Sequence, residues 1–135
     1  MPIPFAKQLP YVLHTNRELG LMLAHKKPLA HFADGKGRFP ESVKRYLRCF
    51  DRQVEAGRLI RHDHFDPPGE TRNYTLHRIL FALPGEEWRM DEMIELMGSP
   101  IWGIEQERRE GELLGYHDWM NDHFLAFRYA KRTEN

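Results

Sequence analysis

Residues 58–83, RLIRHDHFDPPGETRNYTLHRILFAL, decide the fold. Two runs rich in Ile, Tyr, Thr, Leu and Phe, Arg58 to Asp66 and Arg72 to Leu83, flank Pro67-Pro68-Gly69. Those chain-turning residues make the segment read as a strand pair. Side chains alternate across a strand, so His77, Ile79, Phe81 and Leu83 share one face while Leu76, Leu80 and Ala82 make the other nearly as apolar. A strand apolar on both faces belongs at the centre of a sheet.

Upstream, Val43, Tyr46, Leu47, Phe50 and Val54 recur at helical spacing, with Pro40 suited to a first turn and Gly57 to a left-handed end. Further back, Leu19, Leu21 and Leu23 alternate with Gly20, Met22 and Ala24. Apolar character resumes after Lys26-Lys27-Pro28, which predicts a first hairpin. A short helix over residues 17–25 competes, because the lysine turn lacks Asn-Gly or Asp-Gly chemistry. Pro2, Pro4 and Pro10 favour an extended lead-in.

Downstream, Pro84-Gly85 stops the strand and Glu86-Glu87 opens a helix that runs to Met97 and closes at Gly98. Ser99-Pro100 is expected to start the next helix, which fades by Gly111, and an aromatic-rich helix follows from Tyr116 or His117 to about Tyr129. Trp88, Trp102 and Trp119 are expected to anchor these helices. The order predicts a single α+β domain, 1–135: a small antiparallel sheet of two hairpins and about four strands, with one amphipathic helix between them. The helices, two to three of them C-terminal, are expected to pack on one face of that sheet.

Lys plus Arg and Asp plus Glu both total 20, so no net field draws the chain to nucleic acid or to an anionic membrane. Cys49 is the only cysteine, which excludes an internal disulfide; it sits at the edge of the apolar stripe, where packing is the usual role. The start lacks the basic and apolar segments of a secretory signal, and the longest aliphatic or aromatic run, Ile79 to Leu83, is far too short to cross a membrane. A cytoplasmic location is expected.

Three groups of side chains carry candidate chemistry. On a strand, His62, His64 and Asp66 point to one side and present metal-binding atoms together, with His77 near if the register allows. Met90, Met93 and Met97, with Trp102, form an adaptable partner-binding surface unless the stripe is core. Lys44, Arg48 and Arg52 project from the outer side of the first long helix, but Glu41, Asp51 and Glu55 interleave with them, so nucleic acid is not the expected partner.

Weaker signals surround these. Asp118 and Asp122 lie four apart on a helix start, and Asp34-Gly35-Lys36-Gly37-Arg38 joins permissive glycines to two cations without completing a phosphate-binding pattern. Glu105-Gln106-Glu107 and Arg108-Arg109-Glu110 read as a charged outer face. No complete catalytic or cofactor motif is present, and no cofactor is expected. The leading expectation is a small non-enzymatic binding or regulatory module acting through protein contacts with an unidentified partner, with a homodimer among its arrangements. A metal enzyme or sensor using His62, His64 and Asp66 is the alternative, and a weak nucleic-acid accessory protein the second.

Overall fold

The computed structural model describes residue 14 and residues 16–133; of the side chains after 126 it describes that of Arg128. The extended lead-in expected from Pro2, Pro4 and Pro10 lies outside these residues. Within them the elements are α1 (Glu18–Leu23), β1 (Leu29–Gly35), α2 (Glu41–Glu55), β2 (Ile60–Asp66), β3 (Leu76–Ala82), α3 (Trp88–Met97), α4 (Ile104–Leu114) and α5 (Asp118–Thr133). None of these helices is long and apolar enough to cross a membrane.

The fold is α+β, and β3 is central. It pairs antiparallel with β1 on one side and β2 on the other. Ile79 lies opposite Phe32 and Asp63, and Ala82 opposite Leu29 and Ile60. Three strands are seen among the described residues rather than about four, because the segment expected as the first strand is α1. Its alternating leucines do not share a buried face: Met22 is fully buried while Leu23 is exposed. The pair at helical spacing, Leu19 and Met22, meets the core instead. The turn closes when Lys26 N donates to Leu21 O and His25 N to Met22 O, with His25 in the left-handed region at φ 58°.

Helices cover both faces of the sheet, not one. Ala30, Ile79 and Phe81 meet Met22, Leu47, Phe50 and Leu59 on the side of α1 and α2. Leu29, Leu80 and Ala82 meet Met90, Met93 and Leu113 on the side of α3 and α4. The cause is the two-sided apolar character of β3, since a strand with no polar face must be shielded twice. Val43, Tyr46 and Val54 join the first core as the stripe required. The helix ends where Gly57, at φ 77°, lets Arg58 N reach Gln53 O.

Two expectations about the C-terminal helices change. Ser99-Pro100 does not begin α4; Gly103 does, its N–H donating to Gln106 Oε1 at 2.9 Å. The helix also runs through Gly111 to Leu114, because the bare glycine is buried against α5. The tryptophans lie outside the two buried cores: Trp88, Trp102 and Trp119 are 46%, 44% and 51% exposed, and phenylalanine, leucine and methionine dominate the cores.

Burial makes the fold acid-sensitive through His31 on β1. Burial, and then the Arg78 charge, lower its pKa from 6.5 to about 4, against a smaller opposing pull from Asp66. Arg78 Nη1 lies 3.3 Å from His31 Nε2, a contact that needs the unprotonated ring. The folded chain therefore holds fewer protons than the unfolded chain between pH 6.5 and 4. That stability is complete above pH 6.5 and lost as the pH falls toward 4. Denaturant titrations at the two pH values are expected to show His31→Gln losing less stability than the parent, by on the order of 2–3 kcal/mol. Equal losses would show that His31 is not buried neutral.

Candidate functional site

The histidines of β2 share a face as their spacing requires, but their surroundings are already paired. His64 Nε2 lies 3.0 Å from Asp66 Oδ1, and Arg78 Nε donates to Asp66 Oδ2 at 2.7 Å. Burial alone would raise the Asp66 pKa; the Arg78 hydrogen bond and charge hold it below the usual carboxylate range. His62 is exposed opposite Leu80. His77 lies on the other face, 2.7 Å from Asp63 Oδ2, and so does not join them. Among the described residues no three such side chains are gathered as a metal would need.

Met90 and Met93 are buried in the second core and Met97 packs against it, so the methionine stripe faces the sheet rather than a partner. Trp102 is the exposed member of that set. Lys44, Arg48 and Arg52 lie exposed on α2, where Arg48 pairs with Glu41 at 3.3 Å. Asp118 and Asp122 are exposed, the latter pairing with Arg108.

A different site forms where α4 turns into α5. Gly115, at φ 93°, ends α4, and Tyr116 N reaches back to Gly111 O at 2.9 Å. Two basic side chains close the last carbonyls of α4. Arg89 Nη1 donates to Glu112 O and Leu113 O, and Lys27 Nζ donates to Leu114 O. Positive charge is favourable there because the helix dipole is negative at that end. Gly111 then allows Asn121 of α5 to lie where a side chain would otherwise stand: a Cβ at Gly111 would come 2.0 Å from Asn121 Oδ1.

The close approach at Gly111 leaves a cavity of about 190 Å³ beside it. Glu107 and Glu110 of α4 line it, with Tyr116 from the turn and Asn121, Phe124 and Arg128 from α5. Glu107 Oε1 accepts from Arg128 Nη1 at 2.9 Å, and its side chain is only 6% exposed. Its other oxygen, Oε2, is buried without a hydrogen-bond partner. Burial pushes the Glu110 carboxyl up, and the negative Glu107 adds to this while Arg128 opposes it. Two carboxyls thus line the cavity with one guanidinium, which pairs with Glu107.

Behind Tyr116 the wall is made by His14 and Lys27. The His14 ring stacks on Tyr116 at 3.8 Å, and His14 N donates to the Tyr116 hydroxyl at 2.8 Å. Lys27, 2% exposed, places Nζ 2.9 Å from His14 Nδ1. Burial lowers the Lys27 amine from 10.5 to about 7, with Glu18 resisting. Burial, then Lys27 and His117, lowers His14 to about 4, as fits a ring nitrogen accepting from the amine.

Glu107 and Glu110, expected on a charged outer face, turn inward instead. Their signal was present: two acids three residues apart beside a mid-helix glycine describe a helix face that another helix approaches closely. Lys27 carried no such signal, since a lysine near a proline reads as a surface turn. Comparison with known proteins finds no matching family model, no matching curated protein and no matching solved structure.

Proposed function

We propose that this chain is a small binding module that recognises a basic side chain of a partner protein in the α4–α5 cavity. The observation that carries this reading is the Glu107 carboxylate, which lines the cavity and has one oxygen, Oε2, buried without a hydrogen-bond partner. A buried acceptor without a donor costs about 1–3 kcal/mol, more when charged, and an incoming ammonium or guanidinium supplies that donor together with the opposite charge. The volume, about 190 Å³, suits one side-chain head better than a drug-sized ligand, which needs roughly 300 Å³ or more.

The probes are N-acetyl-lysine amide and N-acetyl-arginine amide, with N-acetyl-norleucine amide as the uncharged control. Calorimetry at low ionic strength is expected to show saturable one-site binding of the basic amides alone. Glu107→Gln, which keeps the shape and removes the charge, is expected to weaken it at least tenfold with an unchanged circular dichroism spectrum. Norleucine amide binding as well as the lysine amide would overturn the reading, as would full affinity in the variant.

A further inference from the structure

A second orphaned atom lies elsewhere, at the end of the sheet where β1 leaves for α2 and the loop after β2 enters β3. Lys36 N donates to Thr75 O at 2.9 Å, tying the two segments together. Arg38 lies flat across Gly35 with its guanidinium carbon 4.7 Å from the centre of the Tyr74 ring. Only glycine admits this arrangement: a Cβ at Gly35 would come 2.7 Å from Arg38 Cδ and 3.3 Å from Tyr74 Cδ2. The Arg72 guanidinium carbon lies 5.9 Å from the same ring centre, and its Nη1 is buried without a hydrogen-bond partner.

No carboxylate among the described residues forms an ion pair with Lys36, Arg38 or Arg72. Asp66 is taken by Arg78 and His64, and Asp34 Oδ1 accepts from Gly35 N at 2.7 Å. Glu70, two residues before Arg72, is exposed in the loop. The guanidiniums rest on an aromatic ring instead of on acids. That holds them in place while leaving their charge without a carboxylate partner.

We infer that this end of the sheet is an anion site that takes a phosphate group on Arg72 and Arg38, with Tyr74 positioning both. A phosphate suits it because two guanidiniums offer more charge and more donors than one carboxylate would use. Phe65, 46% exposed with Lys36 Nζ 5.5 Å from its ring centre, lies on the neighbouring face of the sheet end. The same phosphate chemistry is presented by a free phosphoester and by a nucleic-acid backbone. A backbone spans far enough to touch Phe65 as well.

The test is a titration with pyrophosphate and, separately, with a single-stranded oligothymidylate, at low ionic strength in a phosphate-free buffer. Arginine Nε–Hε resonances and calorimetry are the readouts. Saturable shifts of Arg38 and Arg72 are expected. Arg72→Gln is expected to weaken binding at least tenfold, and Arg52→Gln on the outer face of α2 to leave it unchanged. Tighter binding of the oligomer, with a salt dependence steeper than that of pyrophosphate and shifts at Phe65, identifies a backbone as the source; equal affinity per phosphate identifies a free phosphoester. Should Arg72→Gln not fold, Arg72→Lys keeps the charge without the planar fork and is expected to bind several-fold more weakly. Equal weakening by Arg52→Gln, or Arg72 variants that fold and bind as the parent does, would overturn the inference.

Discussion

Phe50→Ala is expected to lower the free energy of unfolding by roughly 3–5 kcal/mol, the range for deleting a fully buried phenylalanine. Phe50 has no exposed surface, stacks on Phe81 of the central strand at 4.5 Å, and meets Phe32 and Tyr46 edge-on at 5.5 and 5.0 Å. Removing its ring opens a void and breaks aromatic contacts that link α2 to β1 and β3. Domains of this size are stable by about 5–15 kcal/mol, so the variant should sit at the edge of folding at 37 °C. A urea titration gives the value directly. A loss below about 1 kcal/mol would mean that α2 does not pack on the sheet through this residue.

Gly115→Ala is expected to cost about 2–4 kcal/mol by two additive routes. Alanine at φ 93° is held in a region that L-residues avoid, which costs on the order of 1 kcal/mol. The new methyl would also stand 2.4 Å from Pro28 Cδ and 3.3 Å from Pro28 Cγ, a ring that has little freedom to yield. Gly37→Ala separates the two contributions, because Gly37 also has positive φ, 75°, with nothing within 4 Å of the added carbon. Thermal unfolding of both variants should place the Gly115 loss well beyond that of Gly37. Equal losses would show that the close approach of Pro28 to the α4–α5 turn contributes nothing.

Much of the scaffold was legible because burial and period coincide. The two-sided apolar run in β3 announced a central strand, and the stripe from Val43 to Val54 announced α2. Residues 19–24 misled because every second residue and every third are apolar there; tertiary packing chose Leu19 with Met22. A central strand that is apolar on both faces also implied cover on both sides, a consequence the expected one-sided layering did not carry through.

The candidate site was less legible, since it depends on approach distance rather than on residue type. Glu107 and Glu110 look like solvated acids until Gly111 brings α5 against them. Lys27 looks like a turn residue until the end of α4 supplies Leu114 O as its acceptor. Conversely, His62, His64 and Asp66 kept the shared face that alternation requires, but Arg78, twelve residues beyond Asp66, took the carboxylate. Long-range pairing of that kind leaves no local trace in sequence.

The cation-binding cavity is tested most directly by following the side-chain carboxyl carbons of Glu107 and Glu110 by 13C resonance during titration with N-acetyl-lysine amide. Both are expected to shift with a common saturation. The Glu110 midpoint should fall as the bound cation favours its ionised form, so that binding near that midpoint releases protons. Carboxyl resonances that stay fixed while the ligand is raised far beyond millimolar concentration would contradict a cavity built to receive a basic group.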